Sequence, residues 1–324
     1  MSGNVLEVER LNVSFQTGGG TVHAVRDLSL TVAQGEVIGL VGESGSGKSV
    51  TMLSVVRLLD APVRAAKLMV DGRSLLDVGR RELEAIRGPI VSYIFQDPLT
   101  ALNPLLTVGR QITEGMRRHK RLSRNEARSR ALDLLRRVGI SAPEMRIDQL
   151  PHHMSGGMRQ RIMIAIALAV DPKLLIADEP TTALDVTVQA EIVRLVQSIQ
   201  RERGMAMVWV THDLALLARL ADRVVVMYAG RIVEDAKAAL LYAQPAHPYT
   251  AGLLASTSRI DDPFTERESI PGMPPDPKTV SAGCGFQPRC PRALPRCRME
   301  VPELFAMADG QRAACFNPLV QALP

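Results

Sequence analysis

The residues from Gly42 to Ser49, GESGSGKS, fit the spacing G-x-x-x-x-G-K-[ST] at every fixed position. Such glycines let successive backbone N–H groups converge on phosphate oxygens, and the N-terminus of the helix that follows adds positive potential. Lys48 is then placed to bridge β and γ phosphates, and the Ser49 hydroxyl to ligate magnesium. Farther along, LLIA runs into Asp178-Glu179, which sets two carboxylates at the C-terminal end of a buried strand, where a parallel sheet presents its ligands. Asp178 there would hold the magnesium, directly or through water, and Glu179 would orient and polarise an attacking water. A third group is Cys284, Cys290, Cys297 and Cys315, spaced C-x5-C-x6-C-x17-C. Four thiolates so concentrated suggest tetrahedral zinc or an iron–sulfur cluster, with free buried thiols as the alternative. The spacing is not the C-x2-C of a zinc ribbon.

These residues need elements to carry them. The apolar run Glu36 to Val41 feeds directly into the glycine loop, and helical apolar spacing from Ser49 to Leu59 completes strand, loop and helix. Ahead of it, VLEVERLNVSF reads as a strand that turns at Gly18-Gly19-Gly20. From Leu99 to near Leu150 the chain reads as an inserted helical layer. Strand-like 174–178, helical Val186 to Arg203, strand-like 206–210, helical Leu214 to Leu220 and strand-like 224–227 then alternate, the pattern of a parallel sheet covered by helices.

Composition narrows the class. The 324 residues are 46% hydrophobic, 23% charged and 3% aromatic, which suits a folded chain and excludes a largely disordered one. The longest apolar run, Ile162 to Val170, falls well short of a bilayer span, and MSGNVLEVER has no export signal, so a cytoplasmic location is expected. The net charge of +5 comes from one stretch: residues 110–137 hold ten Lys/Arg against Glu114, Glu126 and Asp133, leaving the remainder at −2. That stretch is either the solvated face of helices or a surface for an acidic partner or anionic membrane, and no aromatics interleave it as single-stranded nucleic acid would favour.

In order and spacing, these motifs resemble the nucleotide-binding subunit of an ABC transporter over nearly the whole chain. Ser155-Gly156-Gly157 in HHMSGGMRQR resembles the signature loop, Gln96 in YIFQDP the Q-loop, Thr182 to Asp185 the D-loop, and His212 in WVTHD the switch histidine. Met158 stands where many signatures have Gln. The resemblance implies an α/β fold: a P-loop NTPase core with a mainly parallel sheet, a helical signature subdomain near 99–165, and a Cys/Pro-rich C-terminal extension. It divides the chain into a nucleotide-binding domain, 1–259, and an extension, 260–324. It implies ATP and Mg2+ as ligands, with Gly42, Ser44, Gly45, Gly47, Lys48, Ser49 and Val50 around the nucleotide. Ser49, Gln96 and Asp178 would serve the metal, Glu179, His212, Lys48 and Gln96 catalysis, and Asp185 the D-loop contact. Phe15 is the candidate to stack on adenine, or else packs within the first sheet. Two such subunits would sandwich ATP head to tail, Ser155 to Gly157 of one meeting the γ-phosphate held by the other.

Within that family, the Met of SGGMRQR, the segment QPAHPYT (244–250) and the tail GCGFQPRCPRALPRC resemble the ATPase subunits of dipeptide and oligopeptide importers. The resemblance implies uptake of short peptides at the cytoplasmic face of the inner membrane. Partners would be a second, related ATPase subunit, two transmembrane permeases and an extracytoplasmic binding protein, with no nucleic acid. Nickel and glutathione importers share these features. Alternatives from other classes are a soluble ABC-type ATPase acting on DNA or ribosomes and a subunit that binds ATP without hydrolysing it; Glu179 and His212 speak against the latter. The last 65 residues hold eleven of 21 prolines, all four cysteines, and Phe264, Phe286, Phe305 and Phe316, but few aliphatics. Four thiolate bonds to a 4Fe-4S cluster, which the resemblance favours over Zn2+, could fold a segment with so little core of its own.

Overall fold

Two compact units interleave along the sequence: residues 1–6, 32–36 and 69–208 form the first, and residues 7–31, 37–68 and 209–324 the second. The computed structural model describes residues 3–181, 186–256, 269–276, 278–279, 282–307 and 310–320. Thr182 to Asp185 and Phe264, singled out above, lie outside the described residues.

In the second unit, strands Asn4–Thr17 and Gly20–Ala33 are neighbours in one sheet. Their burial alternates with the period of two that a half-buried strand requires, burying Leu11, Val13, Leu28 and Leu30. The alternation shifts where Arg10 and Asp27 adopt positive φ (55° and 48°), an irregularity bridged by the Asp27 N–H donating to Asn12 Oδ1 at 3.0 Å.

The phosphate-loop strand, Val37–Val41, is buried at every position. It runs parallel to Arg223–Tyr228 in the register Ile38↔Arg223 to Val41↔Val226, as a continuous apolar run predicts for a strand covered on both faces. Arg223–Tyr228 pairs antiparallel with Arg231–Lys237, with a bulge between Val226 and Met227. Two short tail strands, Arg312–Ala313 and Phe305–Ala306, continue antiparallel beyond it. The helix after the loop, Lys48–Val55, stops short of Leu59 because Arg57 takes a left-handed backbone (φ 54°).

In the first unit, strands Val91–Ile94 and Leu174–Asp178 are parallel, in the register Val91↔Leu174 to Ile94↔Ala177. The helical layer is built from Val108–His119, Arg124–Arg137 and Gly156–Leu168. Ser123 caps the second of these in a capping box with Glu126, and Ala127, Ala131, Leu134 and Leu135 make its buried stripe. Basic residues of this helix and of the end of Val108–His119 form exposed ion pairs. Arg128 grips Asp148 through two bonds of 2.8 and 2.7 Å, Arg136 meets Asp133 and Glu144, and Arg137, Arg118 and Lys120 pair with Glu202, Glu84 and Asp171. Among the described residues, no helix is long and apolar enough to cross a membrane.

Candidate nucleotide site and cysteine segment

The glycine loop turns the chain from the end of Val37–Val41 into Lys48–Val55. Gly47 is the residue before the helix, with φ 97°; a Cβ there would strike the Ala24 carbonyl, so only glycine serves. Ser44 and Gly45 are exposed, while Ser46 and Lys48 are buried. The Lys48 ammonium donates to the carbonyls of Gly42 (2.7 Å) and Glu43 (2.9 Å) and to Ser46 Oγ (3.3 Å), which fixes it inside the arc of its own loop. Ser49 and Val50 are half-buried on the first turn, and Phe15 is half-buried on its strand. His212, exposed, follows strand Ala206–Thr211, and the next residue, Asp213, caps helix Leu214–Leu220 by accepting from Leu216 N–H at 3.0 Å.

In the first unit, the parallel register explains a contact that sequence reasoning missed. Gln96 and Glu179 each come just past the end of paired strands, so they emerge together, and Gln96 Nε2 donates to Glu179 Oε2 at 3.2 Å. Glu179 sits in the left-handed region (φ 46°), a conformation that costs free energy in a non-glycine residue and is held here by its surroundings. Asp178 is buried and accepts from the Tyr93 hydroxyl at 2.7 Å. Burial, and then the charge of Asp178, push the Tyr93 hydroxyl far above its ordinary value, so it remains a donor. Ser155 is the N-cap of helix Gly156–Leu168, its Oγ accepting from Met158 N–H at 3.3 Å; Gly156 is exposed and Gly157 half-buried beside it. Buried Gln160, on the same helix, donates to the Pro180 carbonyl, tying the signature helix to the turn after Glu179. Gln160 and Tyr93 were not singled out from sequence, and Tyr93 shows in it only as one aromatic in an apolar run.

The described part of the tail packs through aromatic rings. Phe286 lies within 5.3, 5.4 and 5.8 Å of the ring centroids of Tyr228, Tyr249 and His247, and Arg296 lies over the Phe316 ring at 3.9 Å. Tyr249 and His247 belong to QPAHPYT. Glu234 accepts from the N–H groups of Ala246 and His247 at 2.8 and 2.7 Å, and burial holds its carboxyl above the usual carboxylate range. Full burial depresses His247 to about 3.

All four cysteines are free thiols, Cys297 buried and the others half-buried. Burial raises Cys315 to about 11 and also raises Cys284 and Cys290; the charges of Cys297 and Cys290 add to this at Cys284, that of Cys297 at Cys290, and those of all three others at Cys315. Among the described residues, no three of His, Cys, Asp and Glu gather closely enough for a single metal ion.

The ABC transporter family matches residues 25–182, and the oligopeptide/dipeptide transporter C-terminal region matches residues 233–297. The chain is 47% identical over 320 residues to the dipeptide transport ATP-binding protein DppD of Escherichia coli, covering 98% of each. It is 46% identical to the oligopeptide transport ATP-binding protein OppD of Salmonella typhimurium, covering 98% of this chain and 95% of that one. Among solved structures it is similar to the ATP-binding cassette MJ0796 in a dimeric post-hydrolysis state with ADP and Pi. That likeness has a TM-score of 0.66 and 28% identity, over 72% of this chain and 98% of that one.

Proposed function

The chain belongs to the ATP-binding proteins of the ABC transporter family, and from that premise we propose that it is the ATP-hydrolysing subunit of an importer of dipeptides or oligopeptides. The feature that carries this proposal is a junction: Tyr249, inside the region matched to oligopeptide/dipeptide transporters, accepts from the Glu43 N–H of the phosphate loop at 2.9 Å. The peptide-transporter segment and the phosphate loop are thus one construction.

Gly42, Ser44, Gly45, Gly47, Ser49 and Val50 surround the nucleotide, and the loop's free amides, with Lys48, hold the β and γ phosphates. Ser49 and Asp178 offer the hard oxygen donors that Mg2+ takes, with Gln96 beside it, and the ion supplies charge neutralisation at the phosphates when bound. Glu179 orients the attacking water and takes its proton, His212 contacts the γ-phosphate, and Phe15 stacks on the adenine. Ser155, Gly156 and Gly157 face the nucleotide of a second ATPase subunit, and Asp185, in this chain's own D-loop, serves nucleotide binding. The remaining partners are two permeases and an extracytoplasmic binding protein, at the cytoplasmic face of the inner membrane. The division into residues 1–259, with helical residues 99–165, and an extension, 260–324, is part of the same proposal. Cys284, Cys290, Cys297 and Cys315 hold a 4Fe-4S cluster, which would supply iron–thiolate bonds in place of an aliphatic core.

Purification from cells at native expression tests this function: permeases should copurify without nucleic acid, and the reconstituted complex should hydrolyse ATP faster when a peptide-loaded binding protein is added. Copurification with DNA or ribosomes would favour the soluble alternative.

A further inference from the structure

We infer that Arg289, one residue before Cys290, is a positioning residue for the phosphate loop: by gripping the Glu43 carboxylate it makes the cysteine-bearing extension a determinant of ATP affinity. The inference rests on the nucleotide assignment above and concerns residues to which that assignment gives no role.

The guanidinium uses both arms, Nη1 to Glu43 Oε2 at 2.8 Å and Nη2 to Oε1 at 3.1 Å. Its other contacts are also filled: Nε donates to the Pro271 carbonyl at 2.9 Å, Nη2 to the Ile270 carbonyl at 3.2 Å, and Nη1 to the Tyr228 hydroxyl at 3.3 Å. The Arg289 side chain is only 5% exposed. A planar fork with this many partners is specified in orientation as well as charge, and an ammonium group cannot reproduce it.

Glu43 is the second residue of the glycine loop, and each of its polar groups is anchored. Arg289 holds the carboxylate, Tyr249 Oη accepts from its N–H, and its carbonyl accepts from Lys48 Nζ. Rotation of the backbone at Glu43 would therefore carry away a carbonyl that seats the Lys48 ammonium and re-aim the amides after it. A loop that binds phosphate through converging N–H groups depends on their being aimed beforehand. Arg289 in turn ends the 3-10 turn Gln287–Arg289, which lies between Cys284 and Cys290. Backbone bonds hold that turn, Gln287 N–H donating to the Cys284 carbonyl and Arg289 N–H to the Phe286 carbonyl, each at 3.0 Å, so the extension fixes Arg289 and Arg289 fixes the loop.

The test uses the full-length chain with Mg-ATP and calorimetric titration. Arg289→Gln and Glu43→Gln should each raise the ATP Kd about tenfold, as loss of a charge-assisted bidentate contact implies, and the double variant should be no weaker than the weaker single. Arg289→Lys should recover only part of the affinity. Glu43→Gln keeps an acceptor for the guanidinium and should stay folded at the titration temperature, with a lowered Tm, so it reports on the loop even if Arg289→Gln folds poorly. Single variants within about twofold of the parental Kd, or single effects that multiply in the double variant, would overturn the inference. Lys48→Ala separates the premise: ATP binding that does not need Lys48 undoes the nucleotide assignment itself, whereas Lys48-dependent binding with silent Glu43 and Arg289 variants undoes the inference alone.

Discussion

The Tyr93 hydroxyl donates to the Asp178 carboxylate at 2.7 Å, from a neighbouring parallel strand. One oxygen of the carboxylate proposed to bind magnesium is thereby fixed in direction. Tyr93→Phe should cost about 1 kcal/mol of stability, the ordinary net worth of one buried hydrogen bond, and should raise the Mg2+ concentration needed for half-maximal ATPase. Thermal melts and a magnesium titration check the two effects.

Glu179→Gln keeps the size of the side chain and an acceptor for Gln96, but removes the proposed base. ATPase should fall by roughly a hundredfold or more while ATP binding persists, and the closed dimer should accumulate. Turnover at the parental rate would show that Glu179 is not the catalytic group.

His247 titrates at about 3 in the folded chain because burial excludes its charged form, against about 6.5 when unfolded. Between these values the unfolded chain binds the extra proton. Stability should therefore be fully present above pH ~6.5 and fall as pH drops toward 3, by at most about 1.4 kcal/mol per pH unit. Buried Glu234, whose carboxyl is raised, acts in the opposite direction as pH rises. Denaturant midpoints of the parent and of His247→Gln at pH 7 and 5 isolate the contribution: the parent should lose more stability than the variant over that interval.

Replacing Cys284, Cys290, Cys297 and Cys315 together by Ser should remove iron and acid-labile sulfide from anaerobically purified protein and make the chain after residue 269 accessible to protease. Zinc in the parent without sulfide would replace the cluster by a mononuclear site. Unchanged protease protection with no metal in the parent would mean that the Tyr228, Tyr249 and Phe286 rings suffice to hold the segment.

The exposed pair Arg128–Asp148 offers a contrast. Both side chains are substantially solvated, so Arg128→Ala should change stability by less than about 1 kcal/mol despite two short bonds. Chemical denaturation at low and high salt checks this.

What could be read beforehand was what is local. Gly42 to Ser49 declares a strand, loop and helix because the spacing of a phosphate cradle lies within one stretch of chain, and the stripe Ala127, Ala131, Leu134 declares its helix in the same way. Pairings across long separations left no trace. Nothing near Gln96 announces Glu179, and nothing near Glu43 announces Arg289; both depend on the register of strands or on the path of a tail dense in proline. Tail strands of two residues, such as Arg312–Ala313, carry too little pattern to be predicted at all. QPAHPYT marked a likeness to peptide importers, but its physical task, burying His247 and bringing Tyr249 to the phosphate loop, required coordinates.

The Arg289–Glu43 contact spans 246 residues of sequence, and this has a bearing on biosynthesis. A chain emerging from the ribosome presents its nucleotide loop early and the clamp on that loop late, since segments fold in the order they appear. Chains truncated or stalled before residue 289 would carry the loop without its clamp, so competence to hold ATP firmly would be acquired only after that residue has emerged.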